Sequence, residues 1–161
     1  MLPQRAPAAN PLTAISLKGR ALRLLSGREH SRAELERRLQ EFEQSPGDLA
    51  KALDELQAKG FISEQRVIES VINRRQAKLG SARIRQELQS KGLDKEAVIN
   101  AVASLQATEL ERARDIWTRK FGEVALDPKA RGQQMRFFAS RGFSGDVIRK
   151  VMAGEAGDSG G

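Results

Sequence analysis

The sequence predicts an all-α fold organised as an array of three tandem three-helix repeats, and three observations carry that expectation. Arg, Leu, Ala, Glu and Gln dominate a chain of 161 residues of which only 4% are aromatic. That balance favours helices and leaves too few β-branched and aromatic residues for a β-rich fold. One corner is also written repeatedly: "SKGLDKEAV" at residues 90–98, "SRGFSGDVI" at 140–148 and, more loosely, "AKGFISEQR" at 58–66. In each, a cation and a Gly end an apolar-periodic stretch, and an apolar residue (Phe61, Leu93 or Phe143) packs back on the finished turn. Ser63, Asp94 or Ser144 then caps the next helix. Finally, setting Gly92 on Gly142 aligns Leu88 with Phe138, Leu93 with Phe143 and Val98 with Ile148. Leu35 and Leu39 share the four-residue spacing of Ile84 and Leu88. Self-similarity at a period of about 45–50 residues marks a helical repeat array whose units bury their open faces on one another.

Each element follows from its start and stop signals. The first helix spans residues 16–26, and Ser31 with Glu34 forms a capping box for the second. Residues 45–48, "SPGD", open the third with Pro46 at its first position, and Gly60 stops it. The fourth follows Ser63 and ends at Gly80; Ser81 caps the fifth, which Gly92 stops. Asp94 caps the sixth, and Thr108 with Glu111 reads as a capping box for a seventh that ends near Gly122. Asp127 and Pro128 start the eighth, Gly142 stops it, and Ser144 caps the ninth. These nine helices group as repeats at residues 15–62, 63–106 and 107–153, between disordered tails at 1–14 and 154–161. The first tail holds three of the five prolines and no apolar periodicity.

Composition narrows the function. The absence of cysteine removes disulfides and thiolate chemistry and suits a reducing compartment. No apolar run approaches a membrane span, and the start of the chain lacks the pattern of a signal peptide, so a cytoplasmic protein is expected. The single histidine, His30, sits in the "GREHS" turn and is expected to be solvated, with no second histidine for a metal site or a Ser–His pair. No phosphate-binding loop or dinucleotide fingerprint is present. The sequence therefore points away from an enzyme, with no cofactor or metal. Trp117 shares a stripe with Leu110, Ala113 and Phe121, which marks it as core, while adjacent Phe137 and Phe138 cannot both be buried on one face.

The formal net charge is +7, and it is unevenly spread. Residues 15–60 carry nine Lys/Arg against eight Asp/Glu, residues 61–105 eight against five, and residues 106–154 ten against six. A basic excess of this kind favours polyanions or an acidic protein face. Arg74, Arg75, Lys78, Arg83 and Arg85 place five cations within twelve residues around one helix joint. Arg75 falls near the middle of the stripe formed by Val67, Ile68, Val71 and Ile72, where it either pairs with Glu87 on the next helix or joins that basic patch. Further cations follow at Arg119 and Lys120, and at Arg131, Arg136 and Arg141. In a curved array, equivalent helices line the same side, so these groups could merge into one binding stripe.

The run "GFISEQRVIESVINRRQAKLGSARIRQELQSKGLDKEAV" resembles the central part of the RecX family, bacterial regulators of the RecA recombinase. "ALRLLSGREHSRAELERRL" resembles the family's first repeat, and "ARDIWTRKFGE" with "RFFASRGFSGDVI" its third. The chain departs from the family at Ser63-Glu64, where an acidic pair is common, and at Val67 and Val71, where aromatics are common. The resemblance implies an elongated, curved array that binds the RecA nucleoprotein filament, in its groove or at its ends. It implies inhibition of the filament's ATP hydrolysis, strand exchange and co-protease activity, with weak or indirect contact to single-stranded DNA. The protein would act as a monomer, without a membrane. The alternative is a helical-repeat protein that binds DNA without RecA.

Overall fold

A computed structural model describes residues 15–154, and those residues form eight α-helices and no strand. Residues 1–14 and 155–161, expected to be disordered tails, lie outside the described residues. Gly154, assigned to the second tail, instead closes the last helix with φ +64°. The chain divides into two compact units, Met1–Ser63 and Glu64–Gly161.

In the first unit, α1 (Leu17–Gly27), α2 (Arg32–Leu39) and α3 (Asp48–Ala58) surround Ala21, Leu35, Leu39, Leu49, Leu53, Leu56 and Ile62. The expected capping box holds: Ser31 Oγ accepts from Glu34 N at 3.1 Å, and Glu34 Oε1 accepts from Ser31 N at 3.2 Å. The second oxygen of Glu34 accepts from Arg28 Nη2 at 2.7 Å, which ties the α1–α2 turn to the same cap. His30 is buried, contrary to the solvated turn expected for it: the residue is 3% exposed. Its Nδ1 lies 3.0 Å from the Arg28 carbonyl, which can only accept, so Nδ1 carries the hydrogen. Burial lowers the pKa of His30 against the opposing effect of that hydrogen bond.

Two further corrections fall in this unit. Pro46 does not open α3; Gly47, at φ +91°, is the cap residue, and Glu43 supplies the missing side-chain acceptor by receiving Leu49 N at 2.8 Å. Nor does Phe61 fold back on its helix end. It is 47% exposed, and the next residue, Ile62, enters the core.

The second unit contains α4 (Glu64–Arg75), α5 (Ser81–Ser90), α6 (Lys95–Lys120), α7 (Pro128–Ser140) and α8 (Gly145–Met152). Asp94, Asp127 and Ser144 cap α6, α7 and α8 as expected, and Gly92 and Gly142 close their corners with φ +66° and +86°. Leu93 and Phe143 are both buried against those corners. Val67 and Val71 are each 1% exposed and belong to the core.

The expected break at Thr108 is absent, so the nine expected helices are eight among the described residues. Thr108 does not cap a new helix: its hydroxyl donates back to the Leu105 carbonyl and accepts from Arg112 Nε at 3.1 Å, and the helix runs unbroken for 26 residues. One end of α6 packs with α4 and α5 around Ile84 and Leu88, and the other packs with α7 and α8 around Phe138. A single rod therefore serves both groups of helices.

Their junction is made at the middle of that rod. Glu109, 4% exposed, accepts from Ser81 N and from Ser144 N, both at 3.3 Å, and so meets the N-termini of α5 and α8. Arg112, one turn on, donates Nη1 to the carbonyls of Gln76 (2.9 Å) and Leu79 (2.8 Å), which follow the end of α4. Burial lowers the Arg112 pKa, opposed by nearby Glu109. Beside them, Gly80 N donates to the Arg141 carbonyl at 2.8 Å and Ala82 N to the Gly142 carbonyl at 3.2 Å. A Cβ on Gly80 would come within 2.4 Å of the Gly142 backbone. Ser81 is consequently not the cap of α5: Gly80 occupies that position, and the buried Ser81 hydroxyl has no hydrogen-bond partner.

Three outcomes follow. Glu109→Ala removes the shared acceptor of the buried Ser81 N–H and the part-buried Ser144 N–H, and Gly80→Ala forces the two backbones apart; each should cost about 2–4 kcal/mol in denaturant unfolding. Ser81→Ala should be within about 0.5 kcal/mol of the parent, because an unpaired hydroxyl contributes nothing, whereas Ser31→Ala should lose about 1 kcal/mol with its cap. For His30, the folded-state pKa lies below the ordinary 6.5, so the unfolded chain binds the proton first. Its contribution to stability is present above that pH and is lost as pH falls through the depressed value. Denaturation followed on both sides of this pH should show a smaller acid loss in His30→Gln.

Candidate partner-binding surface

The cations of the α4–α5 joint are ordered by one carboxylate. Glu87 on α5 accepts from Arg75 Nε at 3.1 Å, and its other oxygen stands 3.9 Å from Arg74 Nη2. The expected Arg75–Glu87 pair is therefore present. Arg75 is exposed at the end of α4, because the stripe of Val67, Ile68 and Val71 has already turned inward before the helix stops. Arg75, Lys78, Arg83 and Glu87 line a common concavity of about 450 Å³. The α4–α5 turn swings Lys78 and Arg83 onto the same side as the end of α4, although α5 is a separate helix.

Arg83 links this group to the third repeat. Its Nη1 donates to the Ser140 carbonyl at 2.8 Å, at the end of α7. Arg141 follows there, its guanidinium 3.8 Å from the Phe137 ring centroid, with Lys120 Nζ 4.7 Å from the same ring. Phe137 stands edge-on to both Phe121 and Phe138, with centroids 5.4 and 5.3 Å away. Of the adjacent pair, Phe138 is the fully buried member and Phe137 the half-buried one, clamped between cations. Cations on aromatic faces are held at fixed points while their charge stays accessible. Trp117 is held in the same core by its indole N–H, which donates to Gln134 Oε1 at 3.1 Å.

The structure thus brings Arg74, Arg75, Lys78 and Arg83 together, and sets Arg141 and Lys120 next to Arg83 through Ser140 and Phe137. It does not bring all the predicted residues to one place. Arg85 lines a different groove, between α5 and α6, because two residues along a helix reverse the direction of a side chain. Arg119 donates to the Asp115 carbonyl on its own helix. Arg131 and Arg136 are exposed on α7, outside the contacts that join the other cations.

Glu109 is the polar residue that sequence reasoning missed, and Arg112, whose charge reads from the sequence as one more surface cation on the same helix, is the one it misplaced. The signal was there: Val98, Val102, Leu105, Glu109, Ala113 and Ile116 keep one helical spacing, with a carboxylate on the apolar stripe. Arg112 belongs to the junction, not to the accessible cations.

Taken together, the capped corners, the recurring units and the accessible cations define an all-α helical-repeat protein. Comparison with known proteins agrees. Residues 18–56, 63–102 and 107–152 match the models of the first, second and third three-helix domains of RecX. A regulatory protein RecX of Leptothrix cholodnii is 51% identical over 138 residues, covering 86% of this chain and 88% of its own. Another, of Herminiimonas arsenicoxydans, is 48% identical, covering 86% and 91%. A crystal structure of RecX from Lactobacillus salivarius superposes with a TM-score of 0.70 at 17% identity, over 86% of this chain and 93% of that one. A second crystal structure, of regulatory protein RecX, gives 0.69 at 20% identity, over 85% and 71%. The chain belongs to the RecX family of regulatory proteins.

Proposed function

We propose that this chain is a non-enzymatic regulator of the RecA recombinase. It binds the RecA–single-stranded-DNA filament, in its groove or at its ends, and inhibits ATP hydrolysis, strand exchange and co-protease activity. In this way it modulates recombination, DNA repair and the SOS response, acting as a cytoplasmic monomer. Family membership supports the regulatory role and its link to RecA. Among the described residues no helix is long and apolar enough to cross a membrane, which is consistent with action on a filament in the cytoplasm.

One observation carries the choice of surface. Arg75, Lys78 and Arg83 share a concavity, and Arg83 reaches the strand of chain that presents Arg141. Positive charges at fixed spacing suit a nucleoprotein surface that is acidic in its DNA and in parts of its protein. Glu87 neutralises part of this charge, so the net attraction rests most on Lys78, Arg83, Lys120 and Arg141.

The direct test is titration of the protein into the DNA-dependent ATPase assay of its cognate RecA. Inhibition is expected at near-equal or substoichiometric amounts. Lys78→Glu combined with Lys120→Glu should raise the amount needed by about tenfold, the effect of some 1.4 kcal/mol of lost attraction. Reversal of Arg131 and Arg136 provides the comparison with cations outside the joined group. No inhibition at any ratio would end the proposal. Equal affinity for bare and RecA-coated strands, with a steep salt dependence for both, would favour the DNA-only reading.

A further inference from the structure

The groove between α5 and α6 has a chemistry unlike that of the cationic concavity. It encloses about 700 Å³ and is floored by Leu93, Val98 and Val102, which are 8, 4 and 6% exposed. Ile99 stands on its wall and is 59% exposed. Arg85 and Lys95 also line it, and among the described residues no carboxylate does. The volume lies within the range of about 300–1,000 Å³ typical of ligand-binding clefts.

The repeat itself does not require this. In the register that places Gly92 on Gly142, the counterpart of Ile99 is Arg149, that of Lys95 is Gly145, and that of Arg85 is Met135. Val98 and its counterpart Ile148 are both buried, as core residues must be. Arg149 instead faces solvent and pairs with Asp146 at 2.6 Å. The third repeat thus places a charged side chain where the second exposes a large apolar one between two cations. An exposed isoleucine beside an apolar floor costs solubility, and helix formation does not require it.

We propose that the α5–α6 groove is a docking site for an acidic amphipathic segment of a partner protein. Apolar side chains on one face of that segment pack on Ile99 and the floor below it, in the manner of a helix laid in a groove. Carboxylates on its flanks meet Arg85 and Lys95. Gln89 and Gln106, which also line the groove, offer both donors and acceptors to its polar edge. The apolar anchor supplies most of the affinity, while the two rim cations select sign and speed encounter. This site does not depend on the filament reading, and the two can fail separately.

The test uses the full chain and a fluorescein-labelled peptide with leucines along one helical face and glutamates on the other, followed by polarisation. A second peptide carries lysine in place of every glutamate. The glutamate peptide is expected to bind saturably and the lysine peptide not to bind. Ile99→Asp should weaken binding at least about tenfold, with an unchanged helical spectrum because the residue is exposed. Arg85→Glu with Lys95→Glu should weaken it by about three- to tenfold and flatten its salt dependence. No saturable binding, equal binding of the lysine peptide, or indifference to Ile99→Asp would overturn the proposal. So would a dimer in light scattering that Ile99→Asp dissociates, since the groove would then be covered by a second copy. RecA ATPase inhibition by Ile99→Asp, measured in parallel, reports on the filament reading alone.

Discussion

The second unit depends on one turn of α6, where Glu109 and Arg112 offer opposite charges to opposite kinds of helix end. The carboxylate faces backbone N–H groups at the start of α5 and α8; the guanidinium faces backbone carbonyls beyond the end of α4. Helix ends hold unpaired groups of these two signs, and burying them without partners is costly. By satisfying both from neighbouring positions on one rod, the chain brings three helix termini together. The close approach of Gly80 to Gly142 is possible only because neither carries a side chain there.

This arrangement explains why a corner seen at residues 90–98 recurs at 140–148 with different surroundings. The local physics is the same in both: a left-handed glycine, a buried apolar residue and an N-cap. At the later corner, however, the backbone also accepts hydrogen bonds from the start of α5. A repeat in sequence is thus a repeat in local construction, and its neighbours decide what else each copy does. Repeat proteins vary their surfaces in this way while keeping their cores.

The same division governs the surface. Arg74, Arg75, Lys78 and Arg83 gather around one carboxylate and one concavity, and Arg83 joins them to the cations clamped on Phe137. Arg85, two residues from Arg83, faces an apolar groove instead. A polyanionic partner and an acidic apolar segment could therefore address neighbouring faces of the same short helix. Long-range attraction favours the first, while contact burial favours the second.

Helical class, the repeat and most helix ends were legible from residue order alone, because caps and glycine stops act over three or four residues. Ser31, Asp94, Asp127 and Ser144 each cap as their local patterns indicate. The pairing of Arg75 with Glu87 was also accessible, since an arginine on an apolar stripe calls for a partner on the next helix. The continuity of α6 was not: Thr108 with Glu111 satisfies the local capping pattern, and only packing against both flanking groups keeps the helix going. The burial of His30, the orphaned Ser81 hydroxyl and the separation of Arg85 from Arg83 were likewise settled in three dimensions. Sequence determines what a residue can donate, accept or bury within its own turn; only the tertiary fold decides which distant backbone stands opposite to receive it.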